Sequence, residues 1–88
     1  MAHRVELTPK AAAELEALPR HVQKRIIRWL ELLADDPRCE GTKKLEGRGE
    51  LRRVHAGRDY VVLYTIRRKA ACVLVVRIAH RSEAYRGL

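Results

Sequence analysis

Apolar positions change their spacing once along this chain. Between residues 11 and 33 they recur every three or four positions, and between residues 51 and 79 they form short blocks rich in Val, Ile, Leu and Tyr. The first spacing buries one stripe of a helix and the second suits strands. Arg4-Val5-Glu6-Leu7 alternates polar and apolar, which predicts a short strand. Thr8-Pro9 then supplies an N-cap hydroxyl and a residue whose φ is already helical. Ala11, Ala12, Leu15 and Leu18 continue at helical spacing, and Pro19 ends that helix while opening a second, so a helical hairpin is expected. The second helix has the clearest periodicity in the chain. Val22, Ile26, Trp29, Leu30 and Leu33 share one stripe, while Arg20, Lys24, Arg25, Arg28 and Glu31 lie opposite on a solvated face.

Asp35-Asp36-Pro37 stops this helix. The stretch from Arg38 to Gly49 holds three of the five glycines and reads as a loop. Beyond it, Leu51 to His55, Tyr60 to Arg67 and Ala70 to Ala79 read as three strands, separated by Ala56-Gly57-Arg58-Asp59 and by a turn at Arg67-Arg68-Lys69. Consecutive hairpins make an antiparallel meander. The predicted fold is therefore α+β, with elements in the order β-α-α-β-β-β: an N-terminal short strand and a helical hairpin packed on one face of a small antiparallel sheet.

Strand parity predicts which residues occupy the other face. In the last strand the more apolar set, Cys72, Leu74, Val76 and Ile78, is expected against the helices, leaving Val73, Val75, Arg77 and Ala79 open. In the middle strand Tyr60, Val62, Tyr64 and Ile66 face the core, and Val61, Leu63 and Thr65 do not. In the strand before it, Val54 faces the core, and Arg53 and His55 the open side. An open face carrying Arg53, His55, Arg77 and Arg81 around a floor of Val61, Leu63 and Val75 suits a nucleotide, because guanidinium groups grip phosphates bidentately.

Charge strengthens this picture. Nineteen Lys and Arg against eleven Asp and Glu leave a formal net charge of +8 on 88 residues, which suggests an anionic partner. A chain of this length is expected to form one domain, residues 1–88. Its longest apolar run, Ala70 to Val76, is strand-sized, so neither a membrane crossing nor a membrane partner is expected. The first residues lack the apolar core of a signal peptide, which makes cytoplasmic residence the expectation. Cys39 and Cys72 are expected as free thiols, with Cys72 in the core. His3, His21, His55 and His80 are scattered without ligand spacing, so no metal site is predicted.

The helical hairpin is followed by Lys43-Lys44-Leu45-Glu46-Gly47, then by Leu51-Arg52-Arg53-Val54-His55-Ala56-Gly57-Arg58-Asp59-Tyr60-Val61-Val62-Leu63-Tyr64. The chain closes on Val75-Val76-Arg77-Ile78-Ala79-His80-Arg81-Ser82-Glu83-Ala84-Tyr85. This pattern resembles the RelE/ParE superfamily of toxins from type II toxin–antitoxin pairs, and the His-Arg-x-Glu-x-Tyr ending is its most specific part. The resemblance to the RelE branch implies a toxin that cleaves messenger RNA in the ribosomal A site without a metal or other cofactor. It also implies contacts with ribosomal RNA and neutralisation by an acidic, partly disordered, RelB-like antitoxin.

Carried over by position, Arg53 and His55 match the paired basic residues of the second strand, and Arg81 and Tyr85 match the terminal motif. His80 sits where several members place His or Lys. In the implied chemistry Tyr85 or His80 is the base, Arg81 with Arg53 holds the scissile phosphate, and His55 is a candidate acid. Lys43, Lys44, Arg52, Arg58 and Arg77 are the further cations expected to contact RNA. Many members have Tyr-Arg where this chain has Tyr60-Val61, and Arg58 in the adjoining turn is the nearest substitute. The alternatives are a ParE-like inhibitor that binds DNA gyrase without nuclease chemistry, and a non-catalytic basic RNA-binding module.

Overall fold

A computed structural model describes residues 3–87; Met1 and Ala2, part of the segment read above for a signal peptide, lie outside it, as does Leu88. Strand β1 (Arg4–Leu7) leads into helices α1 (Pro9–Glu16) and α2 (Arg20–Asp35). Strands β2 (Thr42–Lys44), β3 (Arg52–Ala56), β4 (Tyr60–Arg67) and β5 (Cys72–His80) follow.

Local chemistry fixes the helical hairpin. The Thr8 side chain accepts a hydrogen bond from the Ala11 N–H at 3.1 Å, and Pro9 occupies the first turn, where its missing N–H costs nothing. At the other end of α1, the Gln23 side-chain amide donates to the carbonyls of Leu15 and Glu16 at 2.9 and 3.1 Å. One residue of α2 thus adds donors at the C-terminal carbonyls of the short α1. Val22, Ile26, Leu30 and Leu33 are buried along α2, and Trp29 packs beside them. The Trp29 ring lies over Gly41, whose φ is +98°; a Cβ there would sit 3.1 Å from the ring. Only glycine provides both that backbone angle and that space.

The sheet has five strands in the order β1-β5-β4-β3-β2. Strands β2 to β5 are antiparallel neighbours, as the meander predicts, but β1 joins the sheet parallel to β5, with Val5 opposite Val73 and Leu7 opposite Val75. The sheet is therefore mixed rather than purely antiparallel. Both helices lie between β1 and β5 in sequence, which lets β1 run in the same direction as β5. Strand β2 corrects the loop expected there. It is three polar residues long and carries no apolar alternation, so the sequence pattern held no signal for it.

Ala11, Val22, Ile26, Leu30 and Leu33 of the helices close over Val54, Ala56, Val62, Tyr64, Val73, Val75 and Ile78 of the sheet. The Tyr64 hydroxyl donates to the Pro37 carbonyl at 2.6 Å, which satisfies the one polar atom of that buried ring. Parity holds as predicted in β3 and β4. In β5 it fails for the first half of the strand, where Val73 and Val75 face the helices. The cause is a bulge: Leu63 pairs with Arg77 and Tyr64 with Val75, which leaves Val76 as an extra residue. One inserted residue exchanges the faces of everything on one side of it.

Candidate functional site

The face away from the helices is not the open floor that the sequence suggested. Val61, Leu63 and Ala84 are fully buried, Leu51 and Ala79 nearly so, and Val76 takes the position expected of Val75. The cover is the chain's own last turn. The Arg81 N–H donates to the Asp59 carbonyl at 2.7 Å, and the N–H groups of Glu83 and Ala84 donate back to the His80 carbonyl at 2.8 and 2.9 Å. These bonds drop Ala84 onto Val61 and Leu63. Leu45 packs beside the cluster, and its N–H donates to the Leu51 carbonyl at 2.9 Å.

Functional groups ring this small core. Val54 and Ala56 are in the helix-side core, so Arg53 and His55 must project from the opposite face. Arg81 reaches the same neighbourhood from the terminal turn. His55 is exposed at its rim, yet partial burial of the ring, followed by the charges of Arg53 and Arg81, lowers its pKa below the usual imidazole value. The base form of the imidazole is thereby favoured. Two guanidinium groups near an imidazole whose base form is favoured can bind a dianionic or phosphorane oxygen while the imidazole takes a proton. Lys43 lies directly across from Arg53 on β2, Tyr85 is 40 % exposed in the terminal turn, and Arg58 is exposed one residue before Asp59.

Other predicted site residues are engaged elsewhere. His80 pairs across the sheet with Tyr60, and the two rings meet edge to face with centroids 5.7 Å apart. Tyr60 packs against the helix-side core, so His80 belongs to that side of the sheet and stands apart from His55. Its Nδ1 accepts the Ser82 backbone N–H at 3.2 Å and lies 2.9 Å from the Ser82 hydroxyl, an arrangement that puts the neutral ring's proton on Nε2. Arg77 keeps the face expected of it, across from Leu63, but its guanidinium is tied up at the sheet edge. Its Nε is 3.2 Å from a Glu14 carboxylate oxygen, and Nη1 donates to the Arg86 carbonyl at 3.1 Å. Glu14 also accepts the Ile78 N–H at 2.8 Å, at a stretch of β5 beyond the reach of β1. Glu14, Arg77 and Arg86 thus tie α1, the sheet edge and the terminal turn together. Arg52 and Lys44 share the helix side of the sheet, opposite Arg53; the Arg52 guanidinium donates to the Thr42 hydroxyl at 3.0 Å, and Lys44 pairs with Glu50 at 3.3 Å.

Sequence reasoning missed two residues that hold the surroundings of this rim in place. Ala84 is the single small apolar residue inside the polar ending, and that contrast was its available signal. Glu14 had none, because its partners lie more than sixty positions away. Cys39 and Cys72 are free thiols, and burial, then the Asp36 charge, pushes the Cys39 thiol up, so it is a poor nucleophile. Among the described residues no group of three His, Cys, Asp or Glu is arranged to hold a metal ion. None of the described helices is long and apolar enough to cross a membrane.

The sequence matches the family model for the ParE toxin of type II toxin–antitoxin systems, parDE, over residues 5–85. The chain belongs to this family and, with it, to the RelE/ParE superfamily of type II toxins. It is a toxin of a toxin–antitoxin system. No curated protein matches significantly. Among solved structures, the archaeal RelE–RelB complex from Pyrococcus horikoshii aligns with a TM-score of 0.79 at 27 % identity, covering 96 % of this chain and all of that one. The isolated Escherichia coli RelE toxin gives 0.80 at 22 % identity, with 93 % and 89 % of the two chains covered. The RelBE2 toxin–antitoxin complex of Mycobacterium tuberculosis gives 0.80 at 22 %, with 92 % and 100 % covered. The last two likenesses concern the fold.

Proposed function

We propose that this toxin is a ribosome-dependent messenger-RNA endoribonuclease. The observation that carries the reading is His55 on the same strand face as Arg53, near enough to the Arg53 and Arg81 charges for both to lower its pKa. In the proposed reaction the RNA 2′-hydroxyl attacks the adjacent phosphorus and the bond to the 5′-oxygen breaks, leaving a 2′,3′-cyclic phosphate and a 5′-hydroxyl. His55 accepts the proton of the attacking hydroxyl, since its lowered pKa favours the base form. This reverses the acid role expected from position alone. Arg53 and Arg81 offset the charge that accumulates on the phosphorane. The exposed Tyr85 phenol delivers a proton to the leaving oxygen, and Lys43 and Arg58 hold flanking phosphates.

A cognate antitoxin is part of this reading, because the Pyrococcus and Mycobacterium relatives are complexes of toxin with antitoxin. A net charge of +8 favours an acidic partner. A groove of about 370 Å³ between β1 and α2, lined by Val5, Leu7, Ile27 and Leu30, offers an apolar anchor for an amphipathic segment that orders on binding.

A second reading, inhibition of DNA gyrase by binding alone, is favoured by Val61. It is fully buried where the resemblance leads one to expect an arginine, so the phosphate-binding set is one cation short. Purified toxin added to translating ribosomes, with message ends mapped, separates the two when gyrase supercoiling is followed in parallel. A-site cuts with supercoiling untouched are expected. Blocked supercoiling with intact messages would overturn the nuclease.

A further inference from the structure

A second cluster of cations lies on the side of the sheet opposite His55. Arg38, Lys44, Arg52 and Arg68, with Glu50 and Ile66, line a cleft of about 380 Å³. That volume is within the range of ligand-binding pockets, roughly 300 to 1,000 Å³. Its cations come from four separate places: the turn after α2, strands β2 and β3, and the 3₁₀ turn Arg68–Ala70 between β4 and β5. Arg52 is anchored by its hydrogen bond to the Thr42 hydroxyl. Glu50, the one carboxylate in the lining, is held by Lys44 at 3.3 Å in an exposed pair, which opposes an anion only weakly.

We infer that this cleft binds phosphodiester groups of a single-stranded RNA and forms a continuous track with the Arg53–His55–Arg81 group; the inference rests on the proposed RNA substrate. The continuity comes from β2, an edge strand with Lys43 and Lys44 in succession. Successive strand residues point to opposite faces, so Lys43 joins Arg53 on one side and Lys44 joins the cleft on the other. A polyanion rounding this edge meets Lys43 on one side and Lys44 on the other. Guanidinium groups also fit carboxylates, but the lining offers a single apolar side chain, Ile66, to cover the non-charged residues of an acidic peptide. The backbone of RNA needs no such cover.

The test measures binding of the full-length toxin to a fluorescent single-stranded oligonucleotide made entirely of 2′-O-methyl RNA, whose blocked hydroxyls prevent cleavage. An Arg38→Ala/Arg68→Ala double variant changes two exposed side chains, and far-UV circular dichroism checks its fold. Binding is expected to weaken at least about tenfold near 100 mM salt. The slope of log affinity against log salt should become shallower by about 1.4, two contacts at about 0.7 each. Arg52→Lys, which retains charge and loses the fork, should fall between wild type and the double variant. Unchanged affinity and slope in a folded double variant would overturn the track. So would loss of binding to a glutamate-rich peptide with RNA binding intact. Message cleavage on ribosomes is scored separately: an RNA-binding loss in a toxin that never cuts leaves the track standing and removes the nuclease. Normal RNA binding by the double variant of a toxin that does cut removes the track alone.

Discussion

The two faces of this sheet are covered by different materials. Against one lie two helices, whose backbone hydrogen bonds are mostly internal and whose Ile26 and Leu33 side chains are fully buried against Val62 and Tyr64. Against the other lie a loop and a pair of turns, anchored by contacts such as Arg81 N–H to Asp59 and Arg77 to the Arg86 carbonyl. The helical face buries twelve residues in one cluster and the other buries five, so apolar burial is concentrated on the first. The thinner cover leaves a rim where Arg53, His55 and Arg81 meet solvent while their backbones remain fixed. Stability rests mainly on the first face, and the proposed chemistry on the rim of the second.

That division can be broken by substitution. The largest effect is expected from Ile26→Ala, a loss of about 2 to 5 kcal/mol in urea unfolding, with cleavage per folded molecule retained. A loss below about 1 kcal/mol would deny the helical face its leading share. Arg81→Ala should do the reverse: about 10² to 10³ slower message cleavage, with unfolding midpoints moved by less than about 0.5 kcal/mol equivalent. Near-wild-type cutting by this variant sinks its role at the phosphate. Ala84→Leu overpacks the thinner cover and should cost about 1 to 3 kcal/mol. Cleavage should fall with it, because the displaced turn carries Arg81 and Tyr85; a stable, fully active variant would show that the cover does not position the site.

Glu14→Ala leaves the Ile78 N–H without a partner and the Arg77 guanidinium with the Arg86 carbonyl alone, and a loss of about 1 to 2 kcal/mol is expected. Hydrogen exchange should show faster exchange at Ile78 if Glu14 caps that edge, and unchanged protection would say otherwise. The smallest effect is the titration of His55. Its folded pKa lies below the ordinary imidazole value of about 6.5, so between the two values the unfolded chain binds more protons. Its contribution to stability is complete above about 6.5 and is lost as pH falls towards the folded pKa. An NMR titration should place the His55 midpoint below that of a free imidazole, and Arg53→Ala should move it upward. A midpoint at or above 6.5 would contradict the neutral base.

Much of the fold was legible because each signal was local. Thr8-Pro9, the stripe from Val22 to Leu33 and the turn at Gly57 act through neighbours a few residues away. Arg53 and His55 were legible for the same reason, since Val54 between them is apolar and parity does the rest. The bulge at Val76 was not, because a bulge depends on how β5 pairs with β4 and not on which side chains β5 carries. The partner of Arg77 was not legible either: nothing near it in sequence announces Glu14. Lys44 and Arg52 were grouped with Arg53 by charge, while their alternation in β2 and β3 puts them on the other side of the sheet.

By itself, the sequence determined two helices, a strand-rich second half, a basic surface and an ending specific enough to indicate a toxin family, since these depend on composition and short-range spacing. Only the tertiary structure decided that β1 lies parallel to β5, that Ala84 seals the second face, and that the charges of Arg53 and Arg81 reach His55 while His80 faces Tyr60. Those outcomes depend on strand register and on contacts between distant residues, where a shift of one position exchanges the faces of a strand.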